Sequence, residues 1–462
     1  MKTFYIIIGL MLPVFSFSQD IGKQLGTAME KLQADEQFSH SLLGMYVVEN
    51  KSGKVVYEKN SGIGMAPASC LKVVTSAAAF ELMGQAFRYT TPVKIHSREA
   101  YTQLIFEGSG DPTLGSKRWT TTQANSIYAR ITAVLKKKNI STLHSSIQVS
   151  SNGFTYQPVP DGWVWQDIGN YFGAGAWAFN WMENKYELSL ASGNSLGDPT
   201  TVNGFDPEEA AIPMKNFITT GKKGSGDNAY LYTPPYATSS FATGTIPPGQ
   251  QKFIVSGSLP DPALVFAKGL KSYVQKNGIS ITNIATTDVD VINESPVSSI
   301  VIDTIFSPSL DSMNFWFLKK SLNLFGEAFV KSMALKATGV GSTDSGVAVI
   351  RNYWNGRGIE KSSINFIDGS GLSPANRITV KALVQVMQYA RTRPWYNSFY
   401  HALPEMNGIK MKDGYIGGVR AYTGYVQSKN GTGYTFSFIV NNFYGSPQMA
   451  REKMWKILDI LK

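Results

Sequence analysis

Ser69-Cys70-Leu71-Lys72 place a hydroxyl and an amine one helical turn apart. They follow Ala66-Pro67-Ala68 and open an apolar run over residues 73–83. Side chains at i and i+3 share a helix face. A serine hydroxyl is a weak nucleophile until a partner takes its proton. A lysine can do so only as the free amine, so burial or nearby positive charge must lower its pKa. The apolar run supplies burial, and a helix start supplies N–H groups and positive potential near the reacting oxygen. Four residues alone are a frequent accident, so the chemistry must be completed elsewhere in the chain.

Two later stretches could complete it. Ser312-Met313-Asn314 starts an amphipathic segment over 314–336. The serine could relay a proton to a leaving amine, and the asparagine could hold the lysine and a substrate amide. Lys412-Asp413-Gly414 precedes a strand pair. The lysine could attract a substrate carboxylate, and Gly414 could let substrate backbone approach. The N–H groups of Ser69 and Tyr415 could form an oxyanion hole.

Other chemistries fit poorly. His40, His96, His144 and His401 are scattered singly, so no metal site is expected. Gly193-Asn194-Ser195-Leu196-Gly197 has the spacing of a nucleophile elbow, but Asp198-Pro199 follows and predicts a turn. Gly108-Ser109-Gly110-Asp111 lacks the lysine of a phosphate loop. Cys70 is the only cysteine, which excludes an internal disulfide and reads as a small apolar filler.

The elements that must position these groups are legible in part. A helix is expected over 20–37, a hairpin over 43–49 and 54–58, and then the Ser69 helix, ended by Gly84. Strands are expected over 419–427 and 434–441, with Ser446-Pro447 opening a last helix. The two chain ends could therefore share one antiparallel sheet. From 93 to 299, short strand-like runs alternate with Gly, Pro and Ser turns, which predicts a mostly β insert with mobile loops.

The chain has 462 residues, 43% of them hydrophobic, enough for two or three domains. Residues 1–18 read as a signal peptide, with Lys2, an apolar stretch and Ser16-Phe17-Ser18 before a cut at Gln19. A short N-terminal anchor is the alternative. No later segment is apolar enough to span a membrane. The net charge of +10 suits an exported protein at an anionic polymer, and no nucleic-acid motif is present.

In this order, Ser-x-x-Lys, Ser-x-Asn and Lys-x-Gly resemble the penicillin-binding protein and serine β-lactamase superfamily. The 243 residues from Ser69 to Ser312 resemble the class C low-molecular-mass penicillin-binding proteins, the D-alanyl-D-alanine carboxypeptidase/endopeptidase family. Gly108-Ser109-Gly110-Asp111-Pro112-Thr113-Leu114, Gly162-Trp163-Val164-Trp165-Gln166-Asp167, Asp261-Pro262-Ala263 and Asp368-Gly369-Ser370-Gly371-Leu372-Ser373 are similar to further signatures of that family.

The resemblance implies an α+β fold. A β-lactamase/transpeptidase-like domain, an antiparallel sheet flanked by helices, would be built from 19–92 and 300–462. The insert over 93–299 would form two small domains. It implies a periplasmic serine D,D-peptidase that needs no cofactor. Ser69 would attack the D-Ala-D-Ala or D-Ala-diaminopimelate bond of peptidoglycan stem peptides. Lys72 would be the base, Ser312 and Asn314 would assist, and Lys412 would recognise the carboxylate. Asp167 would face a substrate amine, and β-lactams would trap Ser69. Carboxypeptidase and endopeptidase action both stand.

The pattern is departed from in three places. Asp413 replaces the usual Thr or Ser and cannot donate a hydrogen bond when ionised. Two like charges about 4 Å apart interact by roughly 4 kcal/mol at an effective dielectric near 20, about a thousandfold in binding. Pro374 stands where relatives carry an Arg, leaving Arg377 as a nearby candidate. The stretch from Ser370 to Lys412 is short. These departures motivate an alternative, a catalytically impaired wall-binding protein that keeps the fold.

Overall fold

The computed structural model describes residues 16–98, 101–143, 147–151, 153–282 and 299–462. Most of the expected signal peptide and His144 lie outside these residues. No helix among the described residues is long and apolar enough to cross a membrane.

A six-stranded antiparallel sheet joins the chain ends. Its order is Glu405–Met406, Ile409–Ile416, Val419–Gln427, Gly433–Asn441, Leu42–Glu49 and Val55–Lys59. Alternation along Leu42–Glu49 explains the layering. Met45 and Val47 face a core shared with the helices Ser16–Ala34 and Pro447–Leu458. Tyr46 and Val48 face the other core, shared with Lys72–Leu82 and Val380–Arg391. The Ser446 hydroxyl caps the last helix by accepting from the Met449 N–H. The first helix stops at Ala34, short of the expected 37, where Asp35 Oδ1 accepts the Gln37 N–H and begins a turn.

Two corrections concern elements. The expected single segment over 314–336 is two helices, Leu310–Lys319 and Asn323–Thr338. Ser321 between them is left-handed at φ 56°, which stops one helix and restarts the next. The insert is mostly strands, but it also holds two substantial helices, Ala124–Lys137 and Pro262–Lys276. Ile127, Ile131 and Leu135 recur every four residues and bury one face of the first.

The insert joins the rest through paired strands. Thr90–Arg98 lies between Ser299–Phe306 and Tyr101–Glu107 in a four-stranded sheet. Two three-stranded sheets follow, Phe253–Ser258 with Lys185–Ala191 and Thr201–Asp206, and Asn228–Tyr232 with Ser240–Ile246 and Met214–Thr220. Gly193 to Gly197 forms a turn in which Asp198 Oδ2 accepts the Ser195 N–H.

Candidate active site

Ser69 lies in a 3-10 turn, Ala68–Leu71, that runs directly into the helix Lys72–Leu82. Ala68 has φ 44°, so the backbone is held in a sparsely populated conformation just before the nucleophile candidate. Two glycines admit this turn. A Cβ on Gly371 would come within 1.9 Å of the Ala68 carbonyl oxygen, and one on Gly414 within 2.6 Å of the Pro67 oxygen. The turn is thus clamped between the loop after Asp368 and the strand Ile409–Ile416.

Lys72 is fully buried. Its Nζ lies 2.8 Å from Ser69 Oγ, 2.7 Å from Asn323 Oδ1 and 2.7 Å from the Ser370 carbonyl oxygen. The amide oxygen of Asn323 must be the atom facing Lys72, because its Nδ2 donates to the Phe172 carbonyl at 2.7 Å. Asn323 Oδ1 and Ser370 O are pure acceptors. A neutral amine that donates to both turns its lone pair toward the Ser69 hydroxyl, the orientation a general base requires. Burial pushes Lys72 down to about 7, and the Lys412 charge adds to this; Asp368, Glu327 and Asp413 pull the other way.

The loop that presents the Ser370 carbonyl is tied down from three sides. Both carboxyl oxygens of Glu327 accept from the Gly369 N–H, at 3.1 and 3.0 Å. Thr75 donates to the Gly369 carbonyl at 2.7 Å. Asp368 accepts from the N–H groups of Gly371 and Ser373, from Asn376 Nδ2 and from Trp163 Nε1. Burial, with Asp368 next, pushes the Glu327 carboxyl up to about 8.

The structure does not bring Ser312 and Asn314 to the Lys72 amine. Asn314 Oδ1 accepts from Ser76 at 2.6 Å inside the core, away from the Lys72 amine. Ser312 accepts from Trp119 Nε1 at 2.9 Å in the first turn of its helix. The position expected of Asn314 is held by Asn323, within a second Ser-x-Asn, Ser321-Leu322-Asn323. That copy follows Lys319-Lys320 and opens a helix, whereas Asn314 sits amid Met313, Phe315 and Trp316, a core context. This contrast was the available signal. Glu327 and the Ser370 carbonyl leave no mark in the sequence, because their contacts to this site join residues far apart in the chain.

The remaining expected residues divide. Lys412 is fully buried and has a part in depressing the Lys72 pKa. The Lys412 carbonyl accepts from the Cys70 thiol at 3.2 Å, and burial pushes that thiol up to about 12. Cys70 therefore serves as packing between helix and strand. Asp413 pairs with Lys412 at 2.8 Å, whereas Lys410 pairs with Glu405. Tyr415 points outward, 48% exposed, beneath the Arg420 guanidinium. Arg377 is exposed and turns its Nη1 onto the Pro374 and Asn376 carbonyls.

Asp167 sits half-buried in the short helix Trp165–Ile168, and burial raises its pKa. Its segment is anchored to the site at both ends. Ser373 Oγ donates to the Gly162 carbonyl at 2.8 Å, and Phe172 receives Asn323 as above. Among the described residues no cluster of His, Cys, Asp and Glu could hold a metal ion.

The chain is 24% identical over 457 residues to the D-alanyl-D-alanine carboxypeptidase of Actinomadura sp. (strain R39), covering 92% of this chain and 82% of that protein. It is 20% identical over 355 residues to the D-alanyl-D-alanine carboxypeptidase DacB of Haemophilus influenzae, covering 76% and 71%. The crystal structure of penicillin binding protein 4 (dacB) from Haemophilus influenzae superposes with a TM-score of 0.77 at 18% identity, over 96% of this chain and 97% of that one. The fold is thus α+β and that of penicillin binding protein 4. Residues 25–406 match the D-Ala-D-Ala carboxypeptidase 3 (S13) family, and the chain belongs to that family of serine-type carboxypeptidases.

Proposed function

We propose that the chain is an exported, periplasmic D,D-peptidase that cuts peptidoglycan stem peptides through an acyl-enzyme on Ser69. The observation that carries this reading is the buried Lys72 amine, aimed at Ser69 by two pure acceptors. In the proposed reaction the Lys72 amine takes the Ser69 proton as Oγ attacks the carbonyl between two D-alanines. The N–H groups of Ser69 and Tyr415 stabilise the oxyanion. The proton then passes to the leaving nitrogen, with the half-exposed Ser321 as relay in place of Ser312, whose hydroxyl is engaged by Trp119. Water finally cleaves the ester and restores Ser69. Asp167, on the segment beside Asn323, faces the amine of the stem-peptide side chain.

We take 19–92 and 300–462 as the catalytic domain and 93–299 as the insert; a separate core over Val93–Ile305 supports an insert, and it carries the insert's edge on through the strand Ser299–Phe306. A solved relative is complexed with a β-lactam, which supports β-lactams as covalent inhibitors here. The test is D-alanine release from a synthetic pentapeptide and cleavage of cross-linked muropeptides. The proposal expects Ser69-dependent turnover of at least one of the two. Equal turnover by Ser69→Ala would overturn it.

A further inference from the structure

Lys412 is buried, with its side chain 1% exposed, and it has a resident partner. Its Nζ donates to both the backbone carbonyl and the carboxylate Oδ1 of Asp413, each at 2.8 Å. Neighbouring strand residues normally point to opposite faces. Here the short strand Glu405–Met406 pairs only with Ile409 and Lys410, so the strand has an open edge from Lys412 onward. Burial opposes the ionised form of Asp413, but Lys412 and then Arg420 outweigh it and hold the carboxyl below its usual range.

Among the described residues, the other cations of this wall are turned to contacts of their own. Lys410 is paired with Glu405. Arg377 is turned onto carbonyls of its own loop. Arg420 lies over the exposed Tyr415 ring at 4.5 Å. An incoming carboxylate therefore meets a neutral pair where a lone lysine would attract it.

We infer that Asp413 is a built-in carboxylate occupying the anion position of Lys412, so that the enzyme selects peptides whose leaving residue carries a neutral carboxyl, amidated or continued in a further peptide bond. A leaving residue with a free carboxylate must displace Asp413 or bear its repulsion. This rests on the acyl-serine reading above and adds the substrate class to it.

The test compares two peptides that differ only at the C-terminus, one ending in D-Ala-D-Ala with a free acid and one with the amide. Release of D-alanine and of D-alaninamide gives kcat/KM for each. Wild type, Asp413→Thr and the near-isosteric Asp413→Asn are compared by their acid-to-amide ratio, which cancels differences in folded enzyme. The expected result is a rise in that ratio of about tenfold or more in both variants. An unchanged or lower ratio overturns the inference and leaves the acyl-serine reading standing. No cleavage of either peptide by wild type, with no Ser69-dependent penicillin label, overturns that reading and the inference with it.

Discussion

The rate of Ser69 acylation should rise with pH through the titration of Lys72. Only the free amine can accept the serine proton, and Lys72 is pushed down to about 7. For a group titrating there, about one-tenth is free amine at pH 6 and about nine-tenths at pH 8. The second-order rate of acylation by a fluorescent penicillin should therefore climb about ninefold between those values, then level. Removing one charge tests the cause. Asp413 favours the protonated form of Lys72, so Asp413→Asn should move the midpoint to lower pH. Glu327 should matter less near neutrality, because its own carboxyl is pushed up to about 8 and is largely uncharged there. A flat profile from pH 6 to 8, a midpoint near the ordinary lysine value, or an upward shift in Asp413→Asn would refute the reasoning.

The two Ser-x-Asn copies should separate cleanly. Asn323→Ala removes an acceptor from the buried Lys72 amine, and leaving such a donor unpaired costs about 1–3 kcal/mol, so acylation per folded molecule should slow about 5- to 150-fold. Asn314→Ala should cost about 1–3 kcal/mol of stability by stranding the buried Ser76 hydroxyl, with acylation per folded molecule near wild type. Equal effects of the two on acylation would contradict the assignment. Glu327→Ala frees the Gly369 N–H and should slow acylation by loosening the Ser370 carbonyl; Glu327→Gln should restore most of the rate, and failure of that rescue would argue against a positioning role.

What was legible in the sequence was local. Ser69 and Lys72 are three residues apart, so helix geometry alone brings them together. The shared sheet was legible because strand alternation and turn residues mark Leu42–Glu49, Val419–Gln427 and Gly433–Asn441 separately. The middle motif was not, because its placement depends on a helix break at Ser321, a left-handed residue with no glycine to announce it. The contact between Asn323 and Phe172, which fixes the amide, spans 151 residues and leaves no local mark. The partner of Asp413 was equally hidden. Lys410, Lys412 and Arg420 all lie near Asp413 in the sequence, and only the fold shows that the adjacent Lys412 reaches it.

The central claim is that Ser69 carries the acyl group. Penicillin-treated protein, digested and mapped by mass spectrometry, should show one penicilloyl adduct, on the peptide containing Ser69, and none in Ser69→Ala. An adduct on Ser312, Ser321 or Ser195, or one that persists in Ser69→Ala, would contradict the account.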